Sequence, residues 1–287
     1  MMRTAPIRSA LSLALLALVM HLGMQTAEAT QFFIDEFSIV KNGSPFFDDT
    51  FNGTAPPTGP NFVGTDIPAS YFVQGTFSNA GNKVLMDTAD GQVLPSGITG
   101  LPLSFLQALL LTNIDPLNTV NGLKSNHTFS VTGIFNLTVP GLGEAYGIRL
   151  ADYTDTDVGD DVLDLRVDHT SATPRVTFFD FNLITHTPVV LGSVVLDPGH
   201  TGIALTLTKP DAGSPDIHGS FAYIDGGIMG PTFSFANTGN AFTDENFTRA
   251  AFIAFQPASV PEPSSLLLLT CSLVGFGAIA WRRRRHK

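Results

Sequence analysis

Cysteine and tryptophan are almost absent from this chain of 287 residues. The one cysteine, Cys271, and the one tryptophan, Trp281, both lie in an apolar segment near the C-terminus. Residues 30–262 therefore contain no disulfide bond, no thiolate zinc ligand and no thiol nucleophile. A domain built from these residues must be stabilised by packing alone, and about 230 residues are enough to bury a large core.

Basic residues are scarce in the same region. Residues 30–262 contain 8 Lys and Arg against 24 Asp and Glu, a net charge of −16. A surface this acidic repels the phosphates of nucleic acids and anionic lipids, so nucleic acid is excluded as a partner. The charge is compatible with divalent cations, although solubility alone is the commoner explanation.

Motifs for catalysis are also missing. The sequence contains no Gly-x-Ser-x-Gly, no P-loop and no Gly-x-Gly-x-x-Gly, and its histidines do not have the spacing of zinc ligands. The glutamates between positions 30 and 262 are isolated from one another: Glu36, Glu144, Glu245 and Glu262. No catalytic residue is nominated, and we predict that the protein is not an enzyme.

The N-terminal 29 residues have the pattern of a secretory signal peptide. Arg3 and Arg8 precede an apolar stretch, Ala10–Met20, and Ala27-Glu28-Ala29 forms an A-x-A cleavage site. We expect cleavage after Ala29 and export of the residues that follow.

The C-terminal residues 260–287 combine a short motif, an apolar run and a basic cluster. The 18 residues Ser264–Trp281 are uncharged, and as a helix they extend about 27 Å, enough for a bilayer core. Basic residues directly after a span hold that end in the cytoplasm, which predicts one transmembrane helix with residues 30–259 outside. The motif is Val260, Pro261, Glu262 and Pro263, and the basic cluster is Arg282, Arg283, Arg284 and Arg285.

This order of Pro261-Glu262-Pro263, apolar span and arginines resembles the PEP-CTERM sorting signal of exopolysaccharide-producing Gram-negative bacteria. The resemblance implies that an exosortase-type membrane protease removes the tail. The precursor would be anchored in the inner membrane in transit, and the product would reach the cell surface or the extracellular, exopolysaccharide-containing matrix of a biofilm. A permanently anchored single-pass protein is the alternative.

Period-two alternation dominates residues 30–259 and predicts β-strands. In His127–Val139, Phe129, Val131, Phe135, Leu137 and Val139 share one face. Turn sequences such as Asn42-Gly43 and Asp225-Gly226-Gly227 separate such runs. We predict an all-β fold, a single jelly-roll-like β-sandwich. The exception is the continuous apolar run Leu101–Leu111, for which a short helix is favoured over a buried strand.

The layout is similar to the concanavalin-like jelly roll of laminin-G and lectin domains. The resemblance rests on Phe46–Phe51, Tyr146–Leu150 and Ala241–Thr243, the last of these before a final strand that ends at Phe255. It implies carbohydrate binding as a hypothesis. The lack of tryptophan before position 264 counts against it, because sugar-binding faces commonly stack rings on Trp or Tyr.

The densest charge lies in Asp152–Asp161. Aspartates alternating ahead of a glycine are typical of calcium loops, and the candidate ligands are Asp155, Asp157, Asp160 and Asp161. The EF-hand pattern is incomplete, so two interpretations stay open. The segment either binds calcium as a cofactor or is an acidic loop that contributes to solubility.

In the strand after this loop, Asp164, Arg166 and Asp168 alternate with Leu163, Leu165 and Val167. Paired carboxylates allow a polysaccharide-active enzyme as the alternative function. A guanidinium between them favours their charged forms, however, whereas a general acid must hold its proton. The prediction is therefore structural or adhesive binding rather than catalysis.

Overall fold

Antiparallel strands form most of the structure that a computed structural model describes for this chain. The described residues are 31–51, 71–74, 76–79, 83–87, 92–94, 105–113, 122–151, 161–182, 187–235, 246–247 and 249–257. All of them belong to one unit, Ala29–Ala258. The strands are β1 Phe32–Lys41, β2 Ser44–Asp49, β3 Tyr71–Gln74, β4 Thr76–Asn79, β5 Val84–Asp87, β6 Gln92–Leu94, β7 Phe105–Asn113, β8 Leu123–Lys124, β9 Phe129–Asn136, β10 Ala145–Ala151, β11 Asp161–Asp168, β12 Arg175–Asn182, β13 Thr187–Val195, β14 Gly202–Lys209, β15 His218–Asp225, β16 Ile228–Ser234, β17 Asn246–Phe247 and β18 Arg249–Pro257.

These strands make two large sheets, and the all-β prediction is confirmed. Sheet A has the order β16-β15-β14-β9-β1-β5-β4, with β2 also paired to β1. Sheet B has the order β13-β12-β11-β10-β18-β7-β3, with β6 also paired to β7. A short pair, β8 and β17, stands apart from both sheets.

Aromatic side chains from the two sheets meet in one core. The rings of Phe37 on β1 and Phe252 on β18 lie 4.8 Å apart, and those of Phe135 on β9 and Tyr146 on β10 lie 5.2 Å apart. Alternate residues of β9, β10, β11 and β14 complete this core, as their period-two pattern predicts. The predicted β-sandwich is therefore confirmed, with packing in place of disulfides.

Alternation fails where strand β9 ends. Phe129, Val131 and Phe135 are buried as expected, but the strand stops at Asn136 and Val139 is 43 % exposed. The paired register with β14 ends at Asn136 and Gly202, and one further backbone hydrogen bond runs from the Leu137 N–H to the Thr201 oxygen at 3.1 Å. The prediction that Val139 belongs to the buried face is wrong because the ladder has no partner there.

Two predicted turns have the backbone that their residues favour. Asn42 and Gly43 connect β1 to β2 with φ of 51° and 76°. Gly226 and Gly227 connect β15 to β16 with φ of 57° and 81°. Two consecutive positive φ values are characteristic of a tight hairpin turn, and they explain why asparagine and glycine occupy these positions.

The predicted short helix at Leu101–Leu111 is wrong. Residues 105–113 form strand β7, which pairs with β18 on one side and with β3 and β6 on the other. A strand in the interior of a sheet lies away from the solvated edge and carries long apolar runs, so periodicity alone does not separate it from a buried helix.

Candidate functional site

A cluster of charged side chains lies on sheet B, on the side that faces away from the core. Strand β10 sends Tyr146 and Ile148 into the core and Arg149 to the other side. The same alternation on β11 places its polar residues there. We call this cluster the charged face: Arg149, Asp164, Arg166 and Asp168.

The charged face is buried. Asp164 is 3 % exposed, and Arg166 and Asp168 are each 2 % exposed. The sequence correctly separates these residues from Leu163, Leu165 and Val167, but alternation does not tell whether the polar side of a strand meets water. Charges are seldom buried without strong partners, so each of these groups requires an account of its contacts.

Arg149 and Asp164 form a two-pronged ion pair across strands β10 and β11. Arg149 Nε donates to Asp164 Oδ1 at 2.6 Å, and Nη2 donates to Oδ2 at 2.7 Å. The two residues face each other directly in the strand register. This parallel geometry is the strongest arrangement between a guanidinium and a carboxylate. Sequence reasoning missed Arg149, although a lone charge in the otherwise uncharged strand Ala145–Ala151 was a signal for it.

Arg166 lies between aromatic rings. Its guanidinium carbon is 3.8 Å from the centroid of Phe179 on β12 and 5.5 Å from that of Phe255 on β18. Nη1 lies 3.7 Å from Asp164 Oδ2, while Nε and Nη2 have no hydrogen-bond partner within the described structure. Burial lowers the pKa of Arg166, and the charges of Asp164 and Asp168 oppose that shift.

Only one of the two carboxylate oxygens of Asp168 has a hydrogen-bond partner within the described structure. Its Oδ1 accepts from Thr170 Oγ1 at 2.8 Å and from the Thr170 backbone N–H at 3.3 Å. Its Oδ2 is buried and has no hydrogen-bond partner within the described structure. The charged face therefore contains two buried donors, Nε and Nη2 of Arg166, and one buried acceptor, Oδ2 of Asp168. None of these atoms has a hydrogen-bond partner within the described structure.

A second polar group lies at the end of β15 in sheet A. His200 Nδ1 donates to Asp225 Oδ2 at 2.7 Å, and the imidazole stacks on Tyr223 with centroids 4.2 Å apart. The hydrogen bond from His200 is the main cause that lowers the pKa of Asp225. The Tyr223 hydroxyl accepts from the Asp197 backbone N–H at 2.7 Å, and burial raises the pKa of Tyr223. All of these contacts are internal, so the group holds a loop in place.

The candidate calcium ligands lie largely outside the described residues. Asp155, Asp157 and Asp160 are outside them, and Asp161 is described only as the first residue of β11. Within the described ranges, no group of three His, Cys, Asp or Glu side chains is placed to hold a metal ion. Calcium binding by Asp152–Asp161 stays a prediction.

The residues predicted for export and sorting are also outside the described part of the chain. They are Ala27 and Ala29, Val260 to Pro263, and Arg282 to Arg285. Across the residues that are described, no helix has the length and apolar character that crossing a membrane requires.

Residues 259–285 match the family model of the PEP-CTERM protein-sorting motif. The chain carries a PEP-CTERM sorting motif. The resemblance seen in Pro261-Glu262-Pro263 and the arginine cluster is confirmed. A motif of this type implies an exported protein whose membrane-anchored precursor is processed by an exosortase-type membrane protease.

A comparison with solved structures found two proteins to which this chain has a distant similarity. One is the Bacillus licheniformis β-glucanase, 14 % identical, with 71 % of this chain and 86 % of the glucanase covered and a TM-score of 0.36. The other is the winged bean acidic lectin in complex with methyl-α-D-galactose, 11 % identical, with 79 % and 92 % covered and a TM-score of 0.34. These TM-scores are too low to carry either activity over to this chain. No curated protein matches the chain significantly.

Proposed function

We propose that this protein is released to the cell surface or extracellular matrix after an exosortase-type protease cuts near Pro261-Glu262-Pro263, and that its β-sandwich acts there by binding. The proposed partner is exopolysaccharide. The sorting motif at residues 259–285 supports the route. The predicted signal peptide, residues 1–29, and the predicted span, Ser264–Trp281, complete it.

The contact between Arg149 and Asp164 is the observation that favours binding over catalysis. Hydrolysis of a glycosidic bond ordinarily needs two carboxyl groups, one of which gives a proton to the leaving oxygen. Both oxygens of Asp164 accept from Arg149, and a second guanidinium lies 3.7 Å away. Asp164 therefore has no oxygen left free to contact the leaving oxygen of a glycosidic bond.

A polysaccharide-active enzyme is the second candidate, and Asp168 is the observation that favours it. One carboxylate oxygen of Asp168 is buried without a hydrogen-bond partner among the described residues, so no neighbouring donor occupies it. Catalysis would still need a second free carboxyl group. Asp164, the other carboxylate of the charged face, is paired with Arg149.

One experiment separates these two functions. The full-length chain, purified in detergent, is incubated with exopolysaccharide from its host, and both retention on the polymer and release of reducing sugar are measured. Retention without sugar release over hours supports binding. Sugar release that Asp168→Asn abolishes would establish the enzyme instead, and absence of both signals would refute a polysaccharide partner.

The route is tested separately by intact-mass analysis of protein recovered from the host. The product should lack residues after the Pro261-Glu262-Pro263 region. Glu262→Ala should leave the tail attached, whereas Gln256→Ala, upstream of the motif, should be processed normally. Wild-type protein that still carries Arg282–Arg285 in the extracellular fraction would contradict the proposed processing.

A further inference from the structure

The nitrogens Nε and Nη2 of an arginine lie on the same edge of the guanidinium and donate in parallel. Three arginines lie on the neighbouring strands β10, β11 and β12: Arg149, Arg166 and Arg175. Arg149 uses this edge on Asp164. Arg175 uses it on Ser193, with Nε to Oγ at 2.6 Å and Nη2 to the backbone oxygen at 3.4 Å. Only the edge of Arg166 has no hydrogen-bond partner within the described structure, although Arg166 is the most deeply buried of the three.

Burying Nε and Nη2 of Arg166 without acceptors destabilises the folded chain. A buried donor without an acceptor loses its hydrogen bonds to water and gains none in return, and the loss is larger for a charged group. Contact with the Phe179 ring stabilises the face of the guanidinium but does not occupy its edge. An acceptor from outside the cluster would recover the lost hydrogen bonds.

The shape of the edge selects the acceptor. Two parallel N–H donors match the two oxygens of a carboxylate, as the pair of Arg149 and Asp164 shows on the adjacent strand. The free oxygen of Asp168, two residues along the same strand face, requires a donor instead. A carboxylate alone would leave that oxygen unpaired, so the ligand must also carry a hydroxyl or another donor.

We propose that the charged face binds a uronate, with the sugar carboxylate on Nε and Nη2 of Arg166 and a sugar hydroxyl donating to Oδ2 of Asp168. This proposal rests on the proposed function and specifies the chemistry of its ligand: a sugar whose carboxylate meets Arg166 locally, in a polymer with few charges, because a densely charged polyanion would be repelled by the net charge of −16. A glutamate-rich peptide supplies a carboxylate and, in its backbone N–H groups, donors as well, so the choice of a sugar rests on the proposed polysaccharide partner and the test includes a glutamate trimer.

Binding to this site requires a local opening. The orphan atoms of Arg166 and Asp168 are sealed from water, whereas the most exposed side chain of the charged face is Arg149, at 12 %. Ligand association should therefore be slower than for a preformed surface site.

The test compares ligands first, so that it does not depend on any variant. The full-length chain in detergent is titrated calorimetrically with trigalacturonate, with a glucuronate trisaccharide, and with the same sugars after reduction of their carboxyl groups. Short oligomers limit repulsion from the acidic chain. At least one uronate should bind about tenfold to a hundredfold more tightly than its reduced form, the range of a charge-assisted hydrogen-bonded pair.

Variants then locate the site. Arg166→Gln should abolish the preference for the uronate, and Asp168→Asn should weaken binding of both forms. Lys83→Gln removes one positive charge next to strand β5, away from the charged face, and should change neither. Thermal melting by circular dichroism checks that each variant is folded, and if Arg166→Gln is not, the ligand comparison and Asp168→Asn decide.

The contrary outcomes are distinct. Equal affinity for uronate and reduced sugar, or for a glutamate trimer and uronate, would overturn the uronate proposal. If the chain nevertheless stays on host exopolysaccharide, the proposed function stands and only its ligand chemistry fails. If the chain is not retained on host exopolysaccharide either, the proposed function is refuted as well.

Discussion

Gly147 of β10 lies directly opposite Arg166 of β11, and the absence of a side chain at Gly147 gives Arg166 its place. A Cβ at position 147 would stand 2.2 Å from the Leu165 carbonyl oxygen and 2.7 Å from the Arg166 Cβ. These distances are too short for carbon, and the obstructing atoms belong to backbone or to the root of a side chain. The spacing of the two strands at the charged face therefore depends on this glycine.

Gly147→Ala should lower the free energy of unfolding by about 1 to 3 kcal/mol or more, because strands β10 and β11 must separate to admit the methyl group. Urea unfolding followed by circular dichroism measures the change. Gly213→Ala is the control, since its Cβ would meet only the Asp211 side chain, at 3.3 Å, and should shift stability little. Equal effects of the two substitutions would argue against the close approach at Gly147.

Asp164→Asn should destabilise the protein by about 3 to 5 kcal/mol, because Arg149 and Arg166 lose the carboxylate that both contact in a buried setting. The matched control is Asp35→Asn. Asp35 pairs with Lys83 at 2.8 Å, but their side chains are 29 % and 36 % exposed, so its loss should change stability by less than about 1 kcal/mol. If both variants unfold at the same urea concentration, the charged face is less buried than described.

Glu36→Gln should stabilise the protein at pH 7. Burial, together with the charges of Asp48 and Asp35, raises the pKa of Glu36 above its ordinary 4.5. A raised pKa in the folded state means that the charged form opposes folding, and this penalty disappears as the pH falls through the folded pKa. The melting temperature of the variant should exceed that of wild type at pH 7 and equal it below pH 4.5. In an Asp48→Asn background the gain should shrink, since one cause of the raised pKa is removed.

Asp225→Asn should have the opposite pH dependence. The hydrogen bond from His200 lowers the pKa of Asp225 below its ordinary 3.8. The charged form thus supports folding above pH 3.8, and its contribution is lost as the pH falls through the folded pKa. Melting curves should show a less stable variant at pH 5 to 7 and converging curves below pH 3.8. A difference that persists undiminished at pH 2 would point to a cause other than titration.

Calcium should raise the melting temperature of the full-length chain if Asp152–Asp161 forms the predicted site. At a calcium concentration tenfold above the dissociation constant, the expected rise is about 3 to 6 °C, and EDTA should reverse it. The double substitution Asp155→Asn and Asp157→Asn should remove the response. Magnesium serves as the control ion. An unchanged melting temperature in calcium would contradict the predicted site and favour an acidic loop without a metal.

The fold class could be predicted from the sequence because several strands alternate between residues that enter the core and residues on the opposite face. Ile203, Leu205 and Leu207 alternate with polar or small residues, and all three are in the core. Strand β7 escaped this reasoning for a physical reason. Its residues have strands on both sides, and a continuous apolar run satisfies either a helix or a strand in such a place.

The candidate site could be predicted only in part. The alternation of Asp164, Arg166 and Asp168 with apolar residues placed them together on one face of β11. Their burial and the pairing of Asp164 with Arg149 depend on strands that lie next to each other only after folding, and these two partners are 15 positions apart in sequence. The sorting motif needed no fold at all, because its recognition rests on a contiguous segment.

The outermost strands have a consequence for handling the protein. β13 and β16 end their sheets, contain no charged residue, and expose apolar side chains such as Val190, at 56 %, and Ile228, at 76 %. Like charge holds copies of the acidic chain apart at low ionic strength, but in 1 M salt this repulsion reaches only about 3 Å. Concentrated solutions should therefore stay clear in dilute neutral buffer and aggregate in high salt. The edge strands β13 and β16 should make the first contacts between copies.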